Sequence, residues 1–314
     1  MKEFTNKIEL SLNNGDFATA LEQYLAWFEA LQNEHEEAVR SWHPTHRANA
    51  ANLARQNFFQ RVAEEAQVSE RCQKAVSNFI GLHREPWQDR LQQPSFFYFP
   101  DLTAKPFYQA QEIVGLADTI SHIQADLPLL LQFIGESEKS YIEHIGSAPN
   151  TQEWNALKQS WRATHFIDGH GLNRRLTSIP SCIKYLQQSL LPKCSPLAPE
   201  AFISNLEPGG YIPPHFGLSN IKLTVHVPLR VNPQAWLKAG QDTFTWQVSD
   251  SCMIFDDSYQ HSAKNAGDTL RSVLIFDVWH PDLTEAEKGF IQHFIAEHND
   301  WSNNVGRLAG LDKY

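Results

Sequence analysis

Cysteine is scarce in this chain. Of 314 residues only Cys72, Cys182, Cys194 and Cys252 are cysteines, and no two form a CxxC pair. That spacing gives no zinc motif and no disulfide framework, and leaves reduced thiols as the default. Long apolar runs are missing too. The longest aliphatic cluster, Leu127-Pro128-Leu129-Leu130-Leu131, is far too short to cross a bilayer, and Met1 to Lys7 lacks the apolar core of a secretory leader. Positive charge is in deficit, with 26 Lys and Arg against 36 Asp and Glu and a net charge of −10. A nucleic-acid groove draws on concentrated basic side chains, so that class is excluded. The expectation is a soluble, cytoplasmic protein with no nucleic-acid or membrane partner, long enough for one large domain or two modest ones.

What is present divides into three stretches. From Asn6 to about Leu91 the pattern is helical, with Leu21, Tyr24, Leu25 and Phe28 three or four residues apart and a turn and cap at Asn14-Gly15-Asp16. Gly15, Phe17, Ala20, Leu21 and Tyr24 resemble the first helix of a tetratricopeptide hairpin. A repeat array needs several units to bury its faces. At most three helices fit before Pro86, so a packed helical cap is expected over a peptide-binding solenoid. Between Pro94 and Pro199, a helix with Ile113, Leu116, Ala117, Ile120 and Ile123 on one face is expected to buttress a sheet. From Ala201 the pattern becomes short apolar strands, among them Leu223 to Val227, Phe244 to Trp246, Met253 to Phe255 and Val273 to Phe276. Their regular spacing predicts a jelly roll. Thr284-Glu285-Ala286-Glu287 is a capping box opening a last helix, whose residues Phe290, Ile291, Phe294 and Ile295 are expected to pack on the barrel.

Two histidines stand out among the strands. His215 lies in Pro213-Pro214-His215-Phe216-Gly217, His261 follows Phe255-Asp256-Asp257-Ser258-Tyr259-Gln260, and Arg271 comes ten residues later. Oxygen activation by non-haem Fe(II) needs a few protein ligands on one face of the metal and open positions opposite. Usually a carboxylate two residues after the first histidine completes the set. Here that position is Gly217, which leaves the gap to water, chloride or another residue. Arg271, planar and always charged, suits bidentate pairing with the distal carboxylate of a chelating 2-oxo acid. Asp256 and Asp257 read as a turn shaping the loop before His261, and His280 as structural. His165, Asp168 and His170 invite a second metal site, but Gly169 and Gly171 beside them predict a loop at the pocket mouth instead.

In this arrangement the chain resembles the aspartyl/asparaginyl β-hydroxylases, oxygenases dependent on Fe(II) and 2-oxoglutarate. The resemblance runs from about Phe97 to Phe294. It rests on Phe97-Tyr98-Phe99-Pro100 with Ala104-Lys105-Pro106, on Glu207-Pro208-Gly209-Gly210 leading into Pro214-His215-Phe216-Gly217, and on Phe255-Asp256-Asp257-Ser258 with Asp277-Val278-Trp279-His280-Pro281. It implies an α+β protein with a cupin-like double-stranded β-helix as oxygenase domain over residues 93–314, C-terminal helix included. A helical region over 1–92, whose first helix is similar to that of a tetratricopeptide hairpin, precedes it, as in a soluble bacterial-type member. Iron is then held by His215 and His261 alone, and 2-oxoglutarate is met by Ser204, His226 and Arg271, with Trp161 lining the same pocket. Two neutral imidazoles leave Fe²⁺ its full double charge, which the two carboxylates of 2-oxoglutarate neutralise. The implied reaction consumes O₂, converts 2-oxoglutarate to succinate and hydroxylates an unactivated C–H bond, in the family's form the β-carbon of an aspartyl or asparaginyl residue.

The substrate is the open part of this reading. Where the familiar members carry two substrate-gripping arginines, this chain has Lys222 and Thr224. Lys222 is the one cation left to meet an acidic or amide-bearing substrate, and a free amino acid, a peptide or an acyl chain all stay open. Two rivals stand beside hydroxylation: a halogenase binding chloride at the Gly217 gap, and a catalytically silent helical-cap binding module. The joint presence of His215, His261, Arg271, Ser204 and His226 argues against the second.

Overall fold

The structure, a computed structural model, describes residues 2–14, 16–34, 53, 56, 62, 69–81, 86–135, 139–145, 149–168, 171–173, 176, 178–194, 198–247 and 249–301. These form two compact units, one of residues 1–84 with 289–314, the other of residues 85–288. The division falls a few residues before the boundary expected at 92, and most of the last helix groups with the N-terminal helices.

In the first unit, helices Lys2–Asn13 and Phe17–Glu34 share a small core of Ile8, Ala20, Tyr24 and Trp27 with Leu53. Asp16 caps the second helix by accepting from the Thr19 amide at 3.1 Å. The Gly15 of the expected turn, and the side chains of Phe17, Leu25 and Phe28, lie outside the described residues. Helix Glu70–Phe79 is capped by Ser69, and Phe79 meets Phe294 of the last helix edge-on at 5.2 Å. The apolar face expected on the barrel thus packs, at Phe294, against a helix of its own unit. The capping box that opens this last helix, Glu285–Trp301, is formed: Thr284 N–H donates to Glu287 at 3.0 Å, and the Glu287 amide donates back to Thr284 Oγ1 at 3.3 Å.

The second unit is built from strands. They are β1 (Phe107–Tyr108), β2 (Lys139–Ser140), β3 (Trp161–Asp168), β4 (Gly171–Leu172), β5 (Ala201–Leu206), β6 (Tyr211–His215), β7 (Lys222–Arg230), β8 (Ala235–Ala239), β9 (Asp242–Thr245), β10 (Met253–Phe255), β11 (His261–Asn265) and β12 (Arg271–Trp279). One antiparallel sheet runs β1-β10-β7-β12-β5-β3-β2, with β4 paired to β3; the other runs β6-β11-β8-β9. Together they make the expected α+β protein with a cupin-like, double-stranded β-helix core.

Alternation along the central strands decides what each face does. On β7 and β12 the outward residues Leu223, Val225, Val227, Leu274, Phe276 and Val278 are buried in one apolar cluster. Leu116, Ile120 and Ile123 of helix Leu116–Ala125 join that cluster, so this helix does buttress the sheet. Ala117 is exposed, one position off the face. The inward faces of both sheets form a second cluster that includes Phe202, Leu206, Leu237, Phe255, Val273 and Ile275. Among the described residues, no helix is long and apolar enough to cross a membrane.

Two buried polar residues of the expected site region are structural instead. His280 Nε2 lies 2.8 Å from Tyr108 Oη, while its Nδ1 accepts from the Asp282 amide at 3.2 Å. Asp256, fully buried, accepts from Gln92 Nε2 at 2.7 Å and from the Ser258 amide at 2.9 Å, which pins the loop leading to His261. Burial pushes its carboxyl up to about 7, against hydrogen bonds that favour the anion. A carboxyl whose folded-state pKa is raised is stabilising below its ordinary value, and that contribution is lost as pH rises through the folded value. Wild-type stability should therefore fall by on the order of 1–4 kcal/mol between about pH 4 and 7 relative to Asp256→Asn. Asparagine is accommodated because Gln92 Oε1, buried without a hydrogen bond, accepts from the new amide once the glutamine side chain flips. Chemical denaturation of both proteins across that range checks the slope; parallel pH profiles contradict it.

Candidate functional site

His215 and His261 are cross-strand partners in the smaller sheet, on β6 and β11. Directly opposed residues of antiparallel strands share a face, and the two rings lie 4.0 Å apart, centroid to centroid. Each imidazole is held by its Nδ1, His215 on the Pro213 carbonyl at 2.8 Å and His261 on the Tyr259 carbonyl at 2.9 Å. Only a protonated Nδ1 donates to a carbonyl, so Nε2 is left as the lone-pair nitrogen in both rings. Burial lowers His215 to about 3 and His261 to about 4, the former helped by its neighbour, so both are neutral at physiological pH. Trp154 stands edge-on to His215 at 5.4 Å and Phe255 to His261 at 5.2 Å, fixing the ring planes. A neutral, oriented Nε2 pair is what a metal ligand set requires.

The facing sheet supplies a second group. Register pairs Ser204 of β5 with Val273, and His226 of β7 with Ile275, while Arg271 opens β12 on the same face as Val273 and Ile275. Arg271 is 4% exposed and donates to His226 Nδ1 at 3.2 Å. Among the described residues no carboxylate pairs with it. Burial draws its pKa down to about 10, which still leaves it cationic. His226, lowered by burial and by Arg271, is neutral; accepting at Nδ1, it keeps its proton on Nε2. Trp161 of β3 donates to Ser204 Oγ at 3.1 Å, which fixes that hydroxyl.

At the other end of β7 and β12 lies a third group, in which Lys222 was expected from the sequence and its carboxylate partners Asp277 and Asp257 were missed. Lys222 Nζ is 2.8 Å from Asp277 and 3.4 Å from Asp257, and Thr224 Oγ1 donates to Asp277 at 3.2 Å. Burial alone would lower Lys222, but the two carboxylates outweigh it and hold the amine above its ordinary value. Asp277 is raised by burial. Strand pairing of Thr224 with Asp277 creates this cluster, and Lys222 with Asp277 two pleats apart on one face was its sole signal in the sequence. Asp257 does more than shape a turn. A Cβ built on Gly217 would come within 2.5 Å of both of its carboxylate oxygens, so Asp257 fills the space that a side chain at 217 would take.

One cavity of about 680 Å³ is lined by all three groups, including His215, His261, Ser204, His226, Arg271 and Lys222, with Trp161, Asp257 and Asp277 in its wall. It brings together every site residue expected from the sequence. Trp161 to Asp168, expected as a loop, is strand β3, with an irregular register between His165 and Ile167 that obscures its alternation; His170 lies outside the described residues. Among the described residues no group of three or more His, Cys, Asp and Glu side chains is placed to hold a metal. Among the described residues the site thus offers two imidazoles with no third such side chain grouped with them.

Comparison with known proteins agrees in extent with this cavity. The family model described as aspartyl/asparaginyl beta-hydroxylase matches residues 119–281, more than half the chain and the span holding all the site residues above. The mouse aspartate beta-hydroxylase domain-containing protein 2 is 25% identical over 217 residues, 67% of this chain and 61% of that protein. The human aspartyl/asparaginyl beta-hydroxylase is 33% identical over 86 residues, 27% of this chain and 11% of that protein. The chain thus spans less than two thirds of the length of these relatives. Among solved structures, the Schizosaccharomyces pombe Cnp3 cupin domain aligns with a TM-score of 0.24 at 10% identity, over 43% of this chain and 71% of that one.

Proposed function

Because the chain belongs to the aspartyl/asparaginyl β-hydroxylase family, we propose that it is an Fe(II)- and 2-oxoglutarate-dependent dioxygenase hydroxylating an unactivated C–H bond of an amino-acid or peptide substrate. The observation that carries this reading is a buried arginine, paired with no carboxylate among the described residues, in the same cavity as two neutral, Nδ1-anchored histidines. A buried cation is costly unless an anion meets it, and imidazole nitrogen suits ferrous iron. The residues present therefore fit both groups.

His215 and His261 would hold the metal through Nε2 on one face. Arg271 would grip the distal carboxylate of 2-oxoglutarate, aided by the Ser204 hydroxyl and by the Nε2–H of His226 that the Arg271 bond exposes. When bound, iron and 2-oxoglutarate supply the oxidising chemistry: O₂ is consumed, the co-substrate loses CO₂ to become succinate, and one oxygen atom enters the substrate C–H bond. The protein's share is placement and a dry wall, given by Trp161, Phe202 and Phe255 around the site. In the family's form the target is the β-carbon of an aspartyl or asparaginyl residue. The halogenase rival loses ground at Gly217, because the carboxylate of Asp257 already stands beside it and repels a chloride ion in a low-dielectric pocket.

Anaerobic titration with Fe(II) and 2-oxoglutarate tests the reading. A weak visible charge-transfer band is expected for wild type and none for His261→Ala, with succinate forming only in the former once air is admitted. Absence of the band and of succinate in wild type would sink the assignment.

A further inference from the structure

The Lys222 end of the cavity has a charge balance that names the substrate's docking group. On the inward face of β7 and β12, one cation, Lys222, sits between two carboxylates, Asp277 at 2.8 Å and Asp257 at 3.4 Å. Asp277 is already satisfied, by Lys222 and by the Thr224 hydroxyl. Asp257 is not: its Oδ1 is buried with no hydrogen-bond partner, although its other oxygen faces Lys222. The same cavity holds His261, nine-tenths buried and with its Nε2 bonded to no described side chain, so this is a ligand-taking chamber and the acidic pair is part of its wall.

A substrate carboxylate brought here would be the third anion around one lysine, inside a pocket where charge is poorly screened. Like charges so placed cost several-fold to many-fold in affinity. A nitrogen cation meets the opposite balance. It compensates the excess negative charge of Asp257 and Asp277, in a wall that also includes Tyr141 and Trp154. Resting on the oxygenase reading above, we propose that the substrate docks through a cationic nitrogen, an ammonium or guanidinium group, with Asp257 as the specificity-determining residue.

The probes are acetyl-Gly-X-Gly-amide peptides with X as Arg, Lys, norleucine or Asp, titrated into full-length protein carrying Fe(II) and 2-oxoglutarate without oxygen. Binding is read by calorimetry and by perturbation of the chelate band. The Arg or Lys peptide is expected to bind about tenfold or more tighter than the Asp peptide. Asp257→Asn should reduce the discrimination to about twofold. An Asp peptide that binds as well or better, cationic peptides that fail to bind, or a preference kept in Asp257→Asn overturns the proposal. The chelate band separates the two failures: its presence with no cationic preference leaves the oxygenase reading standing, and its absence removes both.

Discussion

Replacing Arg271 by methionine is expected to leave the free protein as stable as wild type or more so, while weakening 2-oxoglutarate binding by about 30-fold to 5,000-fold. The two effects have opposite signs for one reason. In the free protein Arg271 is 4% exposed and, among the described residues, is met only by the neutral His226, so its desolvation is uncompensated. Exchange of a buried charge for an apolar side chain of similar volume is often neutral or stabilising. On the proposed reading, the same guanidinium would pair with a carboxylate of the bound co-substrate in a dry wall, and loss of one member of such a pair costs about 2–5 kcal/mol in binding. Thermal unfolding and calorimetric titration of 2-oxoglutarate into the metal-loaded protein measure both. If methionine destabilised the fold and left affinity unchanged, Arg271 would be a structural residue and the anion site would lie elsewhere.

How far the sequence could lead depends on the strand. β7 and β12 are central and buried on their outward face, so Leu223, Val225, Leu274 and Phe276 announce them by apolar character alone. The polar interruptions on the same strands, His226 and Arg271, then read as site residues. β6 and β11, which carry the two histidines, are harder to see. β6 is Tyr-Ile-Pro-Pro-His, and its two prolines are tolerated because it is an edge strand; β11 is His-Ser-Ala-Lys-Asn, with little apolar signal. Their histidines were found through neighbouring motifs, not through strand pattern. What stayed hidden is what register alone creates. Lys222 and Asp277 stand 55 positions apart and meet because Thr224 pairs with Asp277, and Asp257 reaches the Gly217 gap through a long-range backbone tie in which the Gly217 amide donates to the Asp257 carbonyl at 2.6 Å. No periodicity encodes either contact.

That tie makes Gly217→Asp the most informative substitution at the proposed metal site. From sequence alone it looks like a repair, returning a carboxylate to the position two residues after the first histidine. In the folded protein the position is already filled: a Cβ there would come within 2.5 Å of both Asp257 oxygens, and a second carboxylate would face the first. The expected outcome is destabilisation by more than about 3 kcal/mol, through overlap and like-charge burial together. Asp257→Ala, which removes the obstructing carboxylate, should give back about 2 kcal/mol or more of that loss in the double variant, a coupling that independent sites would not show. It should also tighten Fe(II) binding over the parent by about tenfold or more, because three protein ligands now share the ion instead of two. Unfolding curves and metal titrations on the four proteins of the cycle decide it. Additive losses, with the double variant worse than either single change, would mean that Asp257 and residue 217 do not compete for one space. The gap beside the histidines would then be a real vacancy, and the argument against chloride there would fall with it.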